Sequence, residues 1–307
     1  MRVKTQNIFN RAYGNYAIAA FNVFTAEQVR GIFAGASEVK VPVIIQITPA
    51  ARKYLSPGFL EGMIRAAEAL YPGAEVAVHL DHGDMEHCIS AITSGFYDSV
   101  MIDASHESLE RNIALTKEIA DQAHAKGIAV EAELGVLSGV EDETDPGIGK
   151  ARYTDPDQAA EFVERSGCDS LAVAVGTSHG AYKFKGDMAL NLDMLCRIQK
   201  VLPRFPLVLH GASSVSHEEI SRINSAGGKL KTDTRGISTE ELKRAIRCGV
   251  AKINIATDTR LLWTRICREF FVSTPELFDP AIPGRQYMDA LSLFVKQKCQ
   301  ELVVEHG

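Results

Sequence analysis

The 307-residue chain lacks any run of the ~20 apolar residues that a membrane helix needs, so no membrane partner is expected. It also lacks a basic excess. With 33 Lys+Arg against 39 Asp+Glu and a formal net charge of −6, nothing points to nucleic acid. The cysteines (Cys88, Cys168, Cys196, Cys248, Cys267, Cys299) are scattered, without a CxxC pair, which argues against a cysteine metal site and reads as reduced, partly buried thiols. The segment Met1–Asn10 carries no apolar core of signal-peptide length, and a cytoplasmic location is expected. What remains is 46% hydrophobic and 23% charged, ordinary globular usage that excludes disordered, collagenous and disulfide-stapled classes.

Short β-branched runs alternate with longer stretches of helical period. Runs at 17–23, 41–47, 75–80, 99–102, 129–133, 170–175, 207–209 and 252–255 read as strands. Stretches at 26–39, 58–70, 85–94, 109–126, 156–166, 192–202 and 239–248 read as helices. Thr25 and Ser216 read as N-caps with a carboxylate in the following turn, and Gly127 and Gly249 as helix stops. Eight alternations predict a single (β/α)8 barrel domain over 1–307, with a doubly wound open sheet as the competitor. Residues 283–305 read as an amphipathic helix added after the eighth unit. The connection 134–155 is long, acidic and carries four glycines; because it follows a strand end, it reads as a mobile lid. A second long connection, 226–238, is rich in Gly, Lys and Thr.

Polar clusters fall directly after three predicted strands: His79-Leu-Asp81-His82-Gly83, Gly176-Thr-Ser-His179-Gly180 and His210-Gly211-Ala-Ser213. In a parallel barrel all three strand ends face one mouth. Three imidazoles there, from His82, His179 and His210, match a catalytic metal site that keeps positions open for substrate. Glycine follows each of them, which lets backbone approach a ligand closely. His79 reads as buried support, and the remaining five of the nine histidines as surface residues. Asp81 is placed to act as acid/base or to orient a ligand. Glu131 and Glu133 share a strand face, where they either line the mouth or form a structural hydrogen-bond network. The loop after strand seven and the end of strand eight, Asn254–Thr257, offer amides and hydroxyls to a phosphate. Thr257-Asp258 reads, in addition, as the cap of the next helix.

Taken with Val100-Met-Ile-Asp-Ala-Ser-His106, Val130-Glu-Ala-Glu-Leu-Gly135, Pro206-Leu-Val-Leu-His-Gly-Ala-Ser213 and Ala20-Phe-Asn-Val23, these clusters resemble the class II, zinc-dependent fructose-bisphosphate aldolases. The resemblance runs across nearly the whole chain in the family's order. It implies Zn2+ on His82, His179 and His210, with Asp103 and Glu133 as a secondary metal position. It implies Asp81 as the acid/base at the aldehyde oxygen and Glu141, in the lid, as the carboxylate that moves a proton at carbon. Gly180, Lys183, Gly211, Ser213, Asn254 and Thr257 would bind the dihydroxyacetone-phosphate half, with a monovalent cation (Na+ or K+), and Arg260 the distal phosphate. A sugar-phosphate substrate and a homodimer or homotetramer follow from the same likeness.

The sequence departs from that pattern at Ala256, where fructose-specific members carry aspartate, and at Thr48-Pro49-Ala50. Both lean towards the tagatose-bisphosphate aldolases of the superfamily, whereas the segment 227–236 resembles the fructose type. Two other classes stay open on the residues alone. One is a Schiff-base aldolase using Lys252, the other a sugar-phosphate binding protein without turnover.

Overall fold

The structure, a computed structural model, describes residues 1–136, 152–177, 190–232 and 236–304. Eight strands form it: β1 (Ile18–Asn22), β2 (Val43–Ile47), β3 (Val76–Gly83), β4 (Ser99–Ile102), β5 (Ala129–Leu134), β6 (Ser170–Val173), β7 (Leu207–Leu209) and β8 (Val250–Ile255). Every neighbour pairs in parallel, and β8 returns to β1 through Ile18 opposite Lys252, so the sheet is a closed barrel. Closure excludes the open doubly wound sheet. The helices are α1 (Thr5–Ala12), α2 (Ala26–Ser37), α3 (Pro49–Leu55), α4 (Pro57–Leu70), α5 (Met85–Ser94), α6 (Leu109–His124), α7 (Pro156–Ser166), α8 (Leu192–Val201), α9 (His217–Ser225), α10 (Thr239–Arg247), α11 (Thr257–Ser273) and α12 (Ala281–Glu301). Among the described residues, no helix is long and apolar enough to cross a membrane.

Strand alternation sorts the side chains into two environments. On β5, Val130, Ala132 and Leu134 face outward into the core shared with the helices, and on β8 Ile253 and Ile255 do the same. The inward residues form layers. At the bottom, Ile18, Ala20, Ile44, Ala77 and Ala251 are sealed by Ile8, Phe9 and Ala12 of α1. Met101, Ala172 and Val208 fill a middle patch. Beside and beyond them the interior is polar: Asn22, Gln46, His79, Asp81, Glu131, Lys252 and Asn254 are all buried, with Glu131 paired to Met101 and Lys252 to Val208. Polar side chains in such a place must satisfy one another. That layer positions the site.

Several boundaries differ from the sequence reading for local reasons. The helix α1 was not anticipated, because its N-cap, Lys4, supplies no side-chain bond. Nor was α3, which begins at Pro49 under the cap of Thr48, whose hydroxyl accepts from Ala51 N at 3.2 Å. Thr25 caps α2 as expected, with Glu27 in the first turn, and in addition forms a reciprocal box with Gln28, while Ser216 caps nothing through its side chain. The last helix occupies Ala281–Glu301 rather than 283–305.

The cysteine expectation also needs correction. Cys196 on α8 and Cys248 at the end of α10 form a disulfide, with Cα atoms 4.8 Å apart. Cys88, Cys168, Cys267 and Cys299 are free. The central part of the 134–155 connection, with Glu141, lies outside the described residues. Its stem is a two-residue ladder in which Val136 and Arg152 exchange backbone hydrogen bonds, both at 2.9 Å.

Candidate active site

Asp81 and His82 end β3 at the barrel mouth. Asp81 is fully enclosed and gripped from both sides. Asn22 Nδ2 donates to one oxygen at 2.8 Å and Asn254 Nδ2 to the other at 3.2 Å. Asn22 is itself fixed by Gln46 Nε2, 3.1 Å from its Oδ1. Two strands that do not pair with β3, β1 and β8, therefore hold the carboxylate still from across the barrel interior. His82 has a left-handed backbone, φ 49°, rare for a residue with a β-carbon. Gly83 follows because a β-carbon there would press on Leu80, Cys88 and the carbonyl of Met101.

His82 meets His210, which follows β7. The two rings lie edge to face, and His82 Nε2 is 2.8 Å from His210 Nδ1. Their outer nitrogens are already committed. His82 Nδ1 donates to Asp103 Oδ2 at 2.7 Å, and His210 Nε2 donates to Glu131 Oε1 at 2.9 Å. A carboxylate oxygen only accepts, so each outer nitrogen carries the proton and each inner one a lone pair. Burial holds the pKa of His210 below the imidazole value, favouring the neutral ring. Two lone pairs aimed at each other repel unless a cation lies with them. The donor set therefore fits a metal ion, with imidazoles oriented by carboxylates.

Around these rings, among the described residues, two groups could hold a metal: Asp81 with His82 and His210, and His82 with Asp103 and Glu133. Burial works against the charge on Asp103, but hydrogen bonds from His82 and Ser105 hold its pKa well below the carboxylate range. Burial opposes the charge on Glu131 as well, but Lys252, whose Nζ lies 2.7 Å from Glu131 Oε2, together with His79 and the hydrogen bond from His210, holds its pKa well below the carboxylate range. His79 is buried, 2.8 Å through Nδ1 from Ser99 Oγ, and its Nε2 lies 3.7 Å from Glu131 Oε2, beyond hydrogen-bond reach.

The loops after β7 and β8 lie side by side, since those strands pair. Gly211 adopts φ 60°, Ser213 is buried, and Asn254 Nδ2 stands 3.3 Å from the His210 ring nitrogens. Thr257 opens α11, so the unpaired amides of that helix face the same region. Arg260, one turn on, lays its guanidinium over Phe24, 5.0 Å from the ring centroid. Asp258 does not cap its own helix. Its two oxygens accept the amides of Ser214 and Val215, each at 2.8 Å, tying the β7 loop to α11.

The structure thus brings together Asp81, His82, Asp103, Glu133, His210 and Asn254, with Gly211, Ser213, Thr257 and Arg260 on adjoining elements. Glu141, His179, Gly180 and Lys183 lie outside the described residues. The sequence reading missed Asn22 and the clamp by Asp258. An inward polar residue in a β-branched run was the available sign for Asn22; Asp258 gave none, because its partners are some forty residues away.

With this geometry in view, the chain compares closely with characterised proteins. Residues 3–306 match the family model described as "Fructose-bisphosphate aldolase class-II". The chain is 44% identical to a fructose-bisphosphate aldolase of Giardia intestinalis, over 88% of this chain and 84% of that one. It is also 44% identical to a fructose-bisphosphate aldolase of Thermus caldophilus, covering 94% and 91% of the two chains. Among solved structures, the YdjI aldolase of Escherichia coli K12 superposes with a TM-score of 0.78 at 34% identity, over 98% of this chain and 97% of that one. A closed parallel barrel, a polar mouth and a match running almost end to end agree: this chain belongs to the class II fructose-bisphosphate aldolase family.

Proposed function

We propose that this protein is a zinc-dependent aldolase, folded as a single domain, that reversibly cleaves fructose 1,6-bisphosphate to dihydroxyacetone phosphate and glyceraldehyde 3-phosphate. The observation that carries the reading is the facing pair His82 Nε2 and His210 Nδ1, 2.8 Å apart beside the clamped carboxylate of Asp81. His82 and His210, with His179 as the third imidazole, are the proposed ligands, and Asp103 and Glu133 a secondary metal position. The bound ion supplies Lewis acidity toward the ketone carbonyl.

The residues of the chain do the rest. Asp81, immobilised by Asn22 and Asn254, accepts the proton of the C4 hydroxyl as the C3–C4 bond breaks. Glu141 is assigned the return of a proton to the new terminal carbon. Gly180, Lys183, Gly211, Ser213, Asn254 and Thr257 hold the dihydroxyacetone-phosphate half, together with a monovalent cation, Na+ or K+. Arg260 meets the distal phosphate. A cytoplasmic homodimer or homotetramer acting in glycolysis and gluconeogenesis completes the proposal.

A second reading rests on one observation. Ala256, the residue between β8 and α11, has no carboxylate to offer a substrate hydroxyl. Tagatose 1,6-bisphosphate, the C4 epimer, is therefore the alternative substrate. Parallel coupled assays on both bisphosphates, before and after chelation and after zinc is restored, test the two readings together. The expected outcome is cleavage that chelation abolishes and zinc recovers, faster on the fructose epimer. Cleavage persisting after verified metal removal overturns the metal mechanism.

A further inference from the structure

Lys252 stands on the inner face of β8, wholly enclosed, and the proposed chemistry does not use it. Its amine is committed elsewhere. Nζ lies 2.7 Å from Glu131 Oε2, and the other oxygen of Glu131 accepts from His210 Nε2 at 2.9 Å. Three strands thus build one chain of contacts, from Lys252 within β8 through Glu131 within β5 to His210 just after β7. That chain ends at His210 Nδ1, the nitrogen facing His82.

We propose that Lys252 is a positioning residue for the metal: it fixes Glu131, and Glu131 in turn fixes the tautomer and ring plane of His210. The inference rests on the metal reading above. Its logic is geometric. With Oε2 held by the ammonium, Oε1 is the oxygen left to His210, and an acceptor-only atom requires the N–H at Nε2. The lone pair is then confined to Nδ1, where a ligand must present it. The ammonium also cancels the charge of the buried carboxylate, so an enclosed ion does not stand alone. A methionine at 252 would fill a similar volume and do neither.

Cobalt(II) titration of the metal-free protein, followed by the visible d–d bands, reads this directly. Wild type is expected to bind cobalt with one defined spectrum. Lys252→Met is expected to bind it roughly ten- to a hundredfold more weakly, with shifted bands, the usual cost of losing an outer orienting partner. Because the single change leaves a carboxylate buried without its counter-ion, Glu131→Gln/Lys252→Met is measured beside it. The amide carbonyl at 131 still accepts from His210, so the double variant should fold, regain thermal stability and recover part of the affinity while remaining several-fold weaker than wild type.

A folded Lys252→Met with wild-type affinity and spectrum overturns the proposal. Where Lys252→Met does not fold, a double variant indistinguishable from wild type in cobalt binding overturns it equally. Wild-type protein that takes up no cobalt overturns the metal reading itself, a result separate from any difference between variants.

Discussion

Asp258 accepts the amide of Val215 at 2.8 Å, and through its second oxygen the amide of Ser214 at the same distance, so the first turn of α11 grips the loop after β7. Val215 needs that grip because its backbone is left-handed, φ 46°, without being glycine. Asn in place of Asp258 accepts one amide and confronts the other with its own N–H. Asp258→Asn is expected to lose roughly 1–3 kcal/mol of stability, the cost of an unsatisfied buried donor. It should also raise KM for the bisphosphate more than it lowers kcat. Urea denaturation and steady-state kinetics check both; an unchanged KM would show that the loop keeps its shape without the clamp.

The packing of α12 on α2 depends on two glycines. A β-carbon on Gly35 would lie 2.5 Å from the carbonyl of Ser292 and 2.8 Å from Val295 Cβ, and one on Gly31 would lie 3.0 Å from Leu291 Cβ. Gly35→Ala is therefore expected to force the helices apart and cost about 1–3 kcal/mol, despite the better helix propensity of alanine. Chemical denaturation compared with Gly62→Ala, where nothing lies within 4 Å, isolates the overpacking.

Acid sensitivity has a definite sign. Burial holds His79 and His210 below the imidazole value of 6.5, and the charge of Lys252 adds to this at His79. The unfolded chain then binds more protons than the folded one as pH falls through about 6.5, so stability is lost on acidification. Glu131, held low, contributes in the same direction only below its unfolded value of 4.5. Between these values the histidines dominate, with a slope of up to about 1.4 kcal/mol per pH unit for each. His79→Gln should flatten that slope in metal-free protein, measured by urea midpoints on both sides of pH ~6.5.

The disulfide between Cys196 and Cys248 spans a separation of 52 residues. Closing a loop of that size restricts the unfolded chain by about 4 kcal/mol in the chain-entropy description. Alkylation of oxidised, unfolded protein should therefore modify the four other thiols, and alkylation after reduction all six. Reduction should also lower Tm; six modified thiols without reduction would refute the link.

The barrel was legible because strand periodicity and the strand-end clusters are local signals. The runs at 99–102 and 207–209 match β4 and β7 residue for residue, and His82 and His210 stand out by type and by the glycine that follows. The rest depends on contacts that no window of sequence contains. Thr257-Asp258 read as a helix cap because such residues ordinarily cap, yet the carboxylate reaches across to another loop. By type and strand position Lys252 reads as a candidate Schiff-base amine, whereas its 2.7 Å contact with Glu131 joins residues too far apart in the chain for the sequence to show. Glu131 and Glu133 share a face, but only the folded barrel separates them, one turned to Lys252 and His210, the other grouped with His82 and Asp103.

The last helix carries a consequence for synthesis. Lys298 of α12 donates to Ser214 Oγ at 3.0 Å, α12 lies along α2, and β8 completes the ring against β1. A growing polypeptide can assemble the early strands on the ribosome, but the loop after β7 acquires its final brace only after residue 298 has cleared the exit tunnel. Competence is thereby delayed until translation has passed that point, and a chain truncated before it would emerge with its pocket unbraced.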